Sequence, residues 1–290
     1  MPVCRDDPPD VTAERGAVSL RLTVIGCGTS QPQPDTPASG LLVESGDTRL
    51  LLDCGQGVVS RLQQRLNPRS LSGIIVGHLH ADHYIDVVGL RYLFPWGEPV
   101  PERLPVYLPP GGRDHMTSLA AAISERPTFF DDSYEVIDYG ADATFSVGEL
   151  RVRMIPGLHY VPAWGVELTD PAGRRIVYAG DTGPNDELVR IATGADLFVC
   201  EATLASSAHD DVKRGHLTGD EALDIAEAAG VSQAILVHYA SARRAALTEV
   251  VAARDVAAQV AVPGLEVTIG ADGVGVDRPA LPEVGRVEVA

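Results

Sequence analysis

The 290-residue chain is short of positive charge: 23 lysines and arginines stand against 40 aspartates and glutamates, for a net charge of -17. Nucleic-acid binding relies on lysine and arginine neutralising phosphates, so this balance argues against a long polyanionic partner, though not against a local basic patch. Cysteine is scarce as well. Cys4, Cys27, Cys54 and Cys200 are widely spread and form no CxxC pair, which argues against a disulfide framework and fits a reducing, cytoplasmic compartment. No apolar run reaches the ~18 residues of a membrane span. The polar start, with Pro2, Pro8 and Pro9, lacks the apolar core of a signal peptide. No membrane partner is expected. Fixed-period repeats, low-complexity tracts and linkers rich in Pro, Gly or Ser are also missing. One domain is therefore expected over residues 17–275, with flexible tails at 1–16 and 276–290.

What the chain does have is apolar patterning, with 45% hydrophobic residues, enough for a full core. Strand-like runs occur at 19–25, 41–44 and 49–53, the last two joined by the turn residues Ser45-Gly46-Asp47. A helix is predicted at 57–66, a strand at 73–78, a helix at 83–94, a strand at 105–108, a helix near 113–125, and strands near 134–138 and 150–155. Strands at 166–169 and 175–179 flank the turn 170–173. A helix at 185–192, a strand at 197–200, a helix from Thr218 to Gly230, a strand at 233–237 and a helix at 245–260 complete the reading. Thr218 and Glu221 form a capping box. Hairpins followed by α/β units in both halves predict two sheets packed face to face with helices outside.

Three of only eight histidines fall in His78-Leu79-His80-Ala81-Asp82-His83. This hexapeptide follows an apolar strand and precedes a helix, where α/β proteins place their chemistry. Other polar residues also end apolar strands: Asp53 after 50–52, His159 after 152–155, Asp181 after 176–180 and His238 after 234–237. Any one of them alone reads as a loop histidine or a capping aspartate. If the strands share polarity, all of them converge on one edge. A catalytic divalent metal takes three or more N/O ligands and keeps a place for water. Seven candidates suit two ions, and a carboxylate such as Asp181 can bridge them. The donors suit zinc, manganese or iron.

These residues resemble the metallo-β-lactamase fold superfamily, and within it the ribonuclease Z-like phosphodiesterases. The resemblance runs from about residue 20 to 245. It rests on His78-Leu79-His80-Ala81-Asp82-His83 as the HxHxDH motif, Asp53-Cys54-Gly55, His159, Asp181 in Gly180-Asp181-Thr182, and His238. It implies a four-layer αβ/βα sandwich. It also implies His78, His80 and His159 on one metal, Asp82, His83 and His238 on a second, and Asp181 between them. Asp53 would orient a ligating histidine. Gly26-Cys27-Gly28-Thr29-Ser30, Glu201-Ala202-Thr203 and Gly215-His216-Leu217-Thr218 resemble finer motifs of the ribonuclease Z branch. They imply His216 as general acid and Glu201 as its partner; Asp82 of the hexapeptide is a further catalytic candidate. Two departures stand out. Only 21 residues separate His159 from Asp181, too few for the tRNA-gripping arm. The arginine after the last histidine is shifted, leaving Arg243 or Arg244 as a substrate contact.

The expected function is a dinuclear hydrolase, holding two divalent ions, for a small-molecule phosphodiester such as a cyclic nucleotide. The alternatives are tRNA 3′ processing, disfavoured by the missing arm and the acidic charge, and lactonase or thioesterase chemistry on the same scaffold. A non-enzymatic metal scaffold is a further alternative. A homodimer is compatible with all of these. Tyr92, Phe94, Trp96 and Trp164 are candidates for a base-stacking wall, with the role of an ordinary core or loop aromatic favoured for at least Tyr92. The loop 95–99 is a candidate flap.

Overall fold

Leu50, Leu51 and Leu52 show how the apolar runs are used. Leu50 and Leu52 join a core cluster shared with the second half of the chain, while Leu51 joins a cluster built with helices. Alternate side chains on a strand point to opposite faces, so a strand buried on both reads as a continuous apolar run. This computed structural model describes residues 19–94, 103–126, 128–205 and 214–277. The expectations for residues 1–16, Cys4, the loop around Trp96 and the chain beyond 277 lie outside these residues.

In chain order the strands are β1 (Leu20–Gly26), β2 (Gly40–Ser45), β3 (Thr48–Leu52), β4 (Gly73–Ile75), β5 (Leu104–Leu108), β6 (Tyr134–Asp138), β7 (Thr144–Val147) and β8 (Leu150–Pro156). They continue as β9 (Trp164–Thr169), β10 (Arg175–Tyr178), β11 (Leu197–Glu201), β12 (Gln233–Val237), β13 (Ala258–Val260), β14 (Glu266–Gly270) and β15 (Gly273–Asp277). The helices are α1 (Val58–Leu62), α2 (Ala81–Tyr84), α3 (Val87–Leu90), α4 (Gly112–Ile123), α5 (Glu187–Ala192), α6 (Gly219–Ala229) and α7 (Arg244–Ala252).

The first sheet has eight strands in the order β15-β14-β1-β2-β3-β4-β5-β6, the second seven in the order β13-β12-β11-β10-β9-β8-β7. One buried cluster joins the sheets through Leu22, Val24, Leu52, Val152, Leu168 and Val177. A second packs Leu42, Ile74 and Val106 against Val58, Leu62, Leu90 and Met116 of the helices. This is the four-layer αβ/βα sandwich that the sequence implies. In the first sheet β3 through β6 run parallel. In the second, β8 and β10 both oppose β9 and so share a direction, and β10 through β13 are parallel. The strands that end in Asp53, the histidine hexapeptide, His159, Asp181 and His238 therefore agree in polarity within each sheet.

Several elements differ from the sequence reading. The single helix expected over 83–94 is two short helices, α2 and α3, and a 3₁₀ turn at Arg91–Leu93. The backbone N–H of Asp86 donates to the carbonyl of Cys54 at 3.0 Å, and the N–H of Cys54 donates to the carbonyl of His83 at 2.7 Å. The loop after β3 thus takes hydrogen bonds that a continuous helix would need. The helix expected to reach 260 stops at Ala252, and the chain re-enters the second sheet as β13. Strands β7, β14 and β15 are additions to the sequence reading. β15 spans the expected domain boundary at 275.

Gly55 is where that loop meets α2. A Cβ built on it would lie 1.9 Å from the Asp82 carbonyl oxygen and 2.7 Å from its carbon. Both atoms are backbone and cannot swing aside. Gly55→Ala is expected to destabilise the fold by about 3 kcal/mol, at the upper end of overpacking costs, read as a lowered urea midpoint. An unchanged midpoint would show that the loop can yield.

Candidate metal centre

Each strand end delivers its side chain to one cleft between the sheets. The His78, His80 and His159 donors form one group, those of Asp82, His83 and His238 a second, and Asp181 joins His78 and His83 in a third; within each group the donor atoms lie within 4.8 Å of one another. His78 Nε2 and His159 Nε2 both stand 3.1 Å from His80 Nδ1. Asp181 Oδ2 lies 3.4 Å from His83 Nε2, 3.4 Å from His238 Nε2 and 3.9 Å from His78 Nε2. His238 Nε2 is 3.2 Å from Asp82 Oδ2. All seven residues expected as ligands are brought together, with Asp181 between the two halves.

The rings are aimed by what holds their other nitrogens. His83 Nδ1–H donates to Asp53 Oδ2 at 2.9 Å, and His159 Nδ1–H donates to the Gly215 carbonyl at 2.7 Å. Carboxylate and carbonyl only accept, so the tautomer is fixed and Nε2 turns into the cleft. For His238 the holder is Thr203. Its hydroxyl donates to Glu201 Oε2 at 2.5 Å and accepts from His238 Nδ1–H at 2.8 Å. Asp53 and His238 adopt left-handed backbone, with φ of 60° and 51°. Such strain costs about 1–3 kcal/mol per residue and persists where the surroundings over-determine it.

His216 Nδ1 meets Glu201 Oε1 at 2.8 Å and lies 3.9 Å from Asp181 Oδ2. Glu201 is fully buried and also accepts from the N–H of Thr182 at 2.9 Å. Burial pushes its carboxyl up, against the pull of the His216 hydrogen bond. The capping box reads out as expected, with Thr218 accepting from the N–H of Glu221 at the start of α6.

Four carboxylates, those of Asp53, Asp82, Asp181 and Glu201, are buried here. Among the described residues no arginine or lysine pairs with them. Burial works to raise the Asp181 carboxyl, but His238 and His83 overcome it and hold it well below the usual range. Burial also opposes charge on His83, yet Asp181 and Asp53 keep its pKa well above the ordinary value. His78 goes the other way: burial, with His83 beside it, drives it far down. Asp181 Oδ1 and His83 Nε2 are buried without a hydrogen-bond partner. Orphaned buried atoms of this kind cost about 1–3 kcal/mol each. A buried anionic site with imidazole nitrogens turned inward and polar atoms left unpaired is the donor set that divalent cations complete.

Other expected residues sit elsewhere. Arg243 donates to the carbonyls of Ala202 and Thr203 at 2.9 and 2.6 Å, bracing the Glu201 segment. Arg244 pairs with Asp35 at 2.7 Å. The aromatic wall does not form among the described residues. Trp164 is buried and donates Nε1–H to the Ala141 carbonyl at 2.9 Å, and Phe94 is buried against Tyr134. Tyr92 is exposed beside Phe129 and takes no part in a wall, as expected of an ordinary core or loop aromatic. Residues without a role in the sequence reading now have contacts. Tyr178 donates its hydroxyl to Asp53 Oδ2 at 2.8 Å. Thr203 lies inside a segment that the sequence singles out, but a hydroxyl two positions past a carboxylate carries no spacing signal of its own.

Two facing sheets with histidines and aspartates converging on one edge define a metallo-hydrolase of the metallo-β-lactamase fold. The chain belongs to the β-lactamase superfamily: the family model described as a β-lactamase superfamily domain matches residues 48–239. A protein of Mycobacterium leprae is 39% identical over 227 residues, covering 76% of this chain and 78% of the relative. A ribonuclease Z of Ignicoccus hospitalis is 29% identical over 273 residues, covering 76% and 88%. The crystal structure of the metallo-β-lactamase fold protein YhfI from Bacillus subtilis superposes with a TM-score of 0.73 at 25% identity, covering 86% of this chain and 99% of that one. No helix among the described residues is long and apolar enough to cross a membrane.

The Thr203 hydroxyl can be tested alone. Thr203→Val keeps the shape and removes the bond shared by Glu201 and His238, and is expected to cost about 1–3 kcal/mol in the metal-free protein. Thr203→Ser should recover most of it. Equal denaturation midpoints for the Thr203→Val variant and wild type would show that the hydroxyl holds neither partner.

Proposed function

We propose that this chain is a dinuclear metal-dependent phosphodiesterase acting on small phosphodiesters, cyclic nucleotides included. The observation that carries the reading is the His216–Glu201 pair at 2.8 Å beside Asp181. Hydrolysis of an alkyl phosphodiester expels a poor leaving group that needs a proton. Carbonyl hydrolysis by a lactonase or thioesterase has less need of such an added acid. On this reading His78, His80 and His159 hold one ion, Asp82, His83 and His238 the other, and Asp181 serves both. Zinc suits these donors, as do manganese and iron. Such ions would supply Lewis acidity, neutralising phosphate charge and lowering the pKa of water.

The remaining work belongs to the chain. Glu201 accepts the Nδ1–H of His216 and so leaves Nε2 as the nitrogen that gives a proton to the departing oxygen. Thr203 and the Thr182 N–H hold Glu201 in that position. Asp82, hydrogen-bonded to His238, positions groups on the attacking side.

A tRNA-processing reading has relatives named ribonuclease Z in its favour. Against it stands the path from His159 to Asp181. That segment is β9, β10 and a tight turn in which Asp170 accepts from the N–H of Ala172 at 3.0 Å and of Arg174 at 2.8 Å. A net charge of -17 adds to the case. Small diesters are expected to be cleaved in preference to precursor tRNA.

Metal content tests the ligand assignment. Asp181→Ala should lose metal from both positions, and His159→Ala from one, by elemental analysis of metal-replete protein. Loss of the same single equivalent in both would remove Asp181 from the shared position. Wild-type protein with clearly under one metal per chain would remove the whole assignment.

Leaving-group dependence tests the acid. His216→Ala should lower kcat by about 10²–10⁴-fold for an alkyl diester. For a p-nitrophenyl ester, whose phenolate leaves unaided, the loss should be far smaller, with metal content unchanged. Equal losses on both would make His216 a binding or loop-supporting residue.

A further inference from the structure

Four large apolar side chains are exposed among the described residues, and two of them, Leu158 (42% exposed) and Tyr160 (63%), flank His159. A single exposed apolar side chain is ordinary surface; what sets these two apart is that they flank a candidate metal ligand. Tyr160 is not at a random surface point. Its ring centroid is 5.0 Å from that of His159 and 5.7 Å from that of His216, so it stands over the mouth of the candidate site.

The ring also has a built seat. A Cβ on Gly215 would lie 2.8 Å from Tyr160 Cε2, 2.9 Å from Cδ2 and 3.0 Å from His159 Nδ1. Glycine at 215 therefore lets the tyrosine ring lie down against the backbone that also accepts from His159. The stretch of chain beneath is pinned on both sides. The N–H of Leu158 donates to Thr182 Oγ1 at 3.0 Å, and the N–H of Gly183 donates to the Leu158 carbonyl at 2.6 Å. A ring held this way loses little further freedom when a ligand covers it, which favours binding.

We propose that Tyr160 is a substrate platform: its exposed ring stacks on a flat aromatic group, nucleobase or aryl, carried by the phosphodiester whose phosphorus sits at the metal cluster. The platform rests on the phosphodiesterase reading for its substrate. It goes beyond that reading by assigning specificity to a residue outside the ligand and acid sets. Stacking is tolerant of which ring is presented, because every base or aryl group has a π-face. An aliphatic diester would gain nothing from it.

The test uses the full chain, metal-replete, as wild type, Tyr160→Ala and Tyr160→Phe. KM and kcat are measured on 3′,5′-cyclic AMP, bis-p-nitrophenyl phosphate and ethylene phosphate, a strained cyclic diester with no aromatic ring to stack. Binding of 1,N6-ethenoadenosine monophosphate is read in parallel from the quenching of its fluorescence. Tyr160→Ala is expected to cut the preference for the aromatic esters over ethylene phosphate by about 10- to 100-fold, the range that stacking on one aromatic supplies. The change should fall mainly in KM, and Tyr160→Phe should restore it. An effect on cyclic AMP alone assigns the platform to a nucleobase. An effect on both aromatic esters assigns it to any planar group. Equal losses on all three esters, or equal quenching with wild type and Tyr160→Ala, would overturn the platform. Tyr160-dependent quenching in a protein that hydrolyses none of the esters would overturn the phosphodiesterase reading and leave the platform standing.

Discussion

The carboxylate of Asp53 is the constraint on which the rest of the structure turns. It is buried, and three donors from three parts of the chain satisfy it: the N–H of Gly77 at 2.8 Å, His83 Nδ1–H at 2.9 Å and the Tyr178 hydroxyl at 2.8 Å. Gly77 lies in the loop after β4, His83 in α2, and Tyr178 at the end of β10 in the opposite sheet. One anion therefore fixes the end of the first sheet, the orientation of a cleft-facing ring and the separation of the two sheets. A buried charge is tolerated only with such full hydrogen bonding, and removing it would strand three donors. Its left-handed backbone is the local cost of that placement.

Around this hub the cleft is built by a repeated device. An imidazole is held at Nδ1 by an acceptor that belongs to the scaffold, and Nε2 is left for the cleft. The acceptors differ: a carboxylate for His83, a carbonyl for His159, a hydroxyl for His238. Because each holder comes from a different element, no single loop controls the site. Its precision depends on the docking of the two sheets, whose facing side chains share one buried apolar cluster.

Much of this is legible in the sequence because the chemistry sits at strand ends. Apolar runs of a few residues closed by a histidine or aspartate are visible without a structure, and shared polarity then brings them to one edge. The hexapeptide 78–83 is dense enough to be read alone. The elements that escape have weaker local signals. β15 alternates glycine and valine with partial exposure and owes its form to pairing with β14. β13 continues a helix-like pattern because nothing in 253–257 breaks it; what stops the helix is the edge of the second sheet, which β13 joins beside β12. The helix expected over 83–94 is interrupted by hydrogen bonds to Cys54, some thirty positions away in sequence. Aromatic roles are the least legible, since exposure depends on packing: Trp164 is core and Tyr160 is surface, though both follow His159 closely.

The pairing of β14 with β1 sets a schedule for the molecule's birth. Leu20 faces Ile269 across that ladder, and Thr23 faces Glu266. A strand made early thus waits for one made late before its outer neighbour exists. Parallel pairs such as β3–β4 and the hairpins β1–β2–β3 can form early, but the outer edge of β1 is covered only after residue 270 has been made. Distant pairing is slow and exposes apolar surface meanwhile. Nascent chains that stop short of that point would leave an edge of β1 open to other chains, so premature termination should yield aggregating fragments and not smaller versions of the same protein.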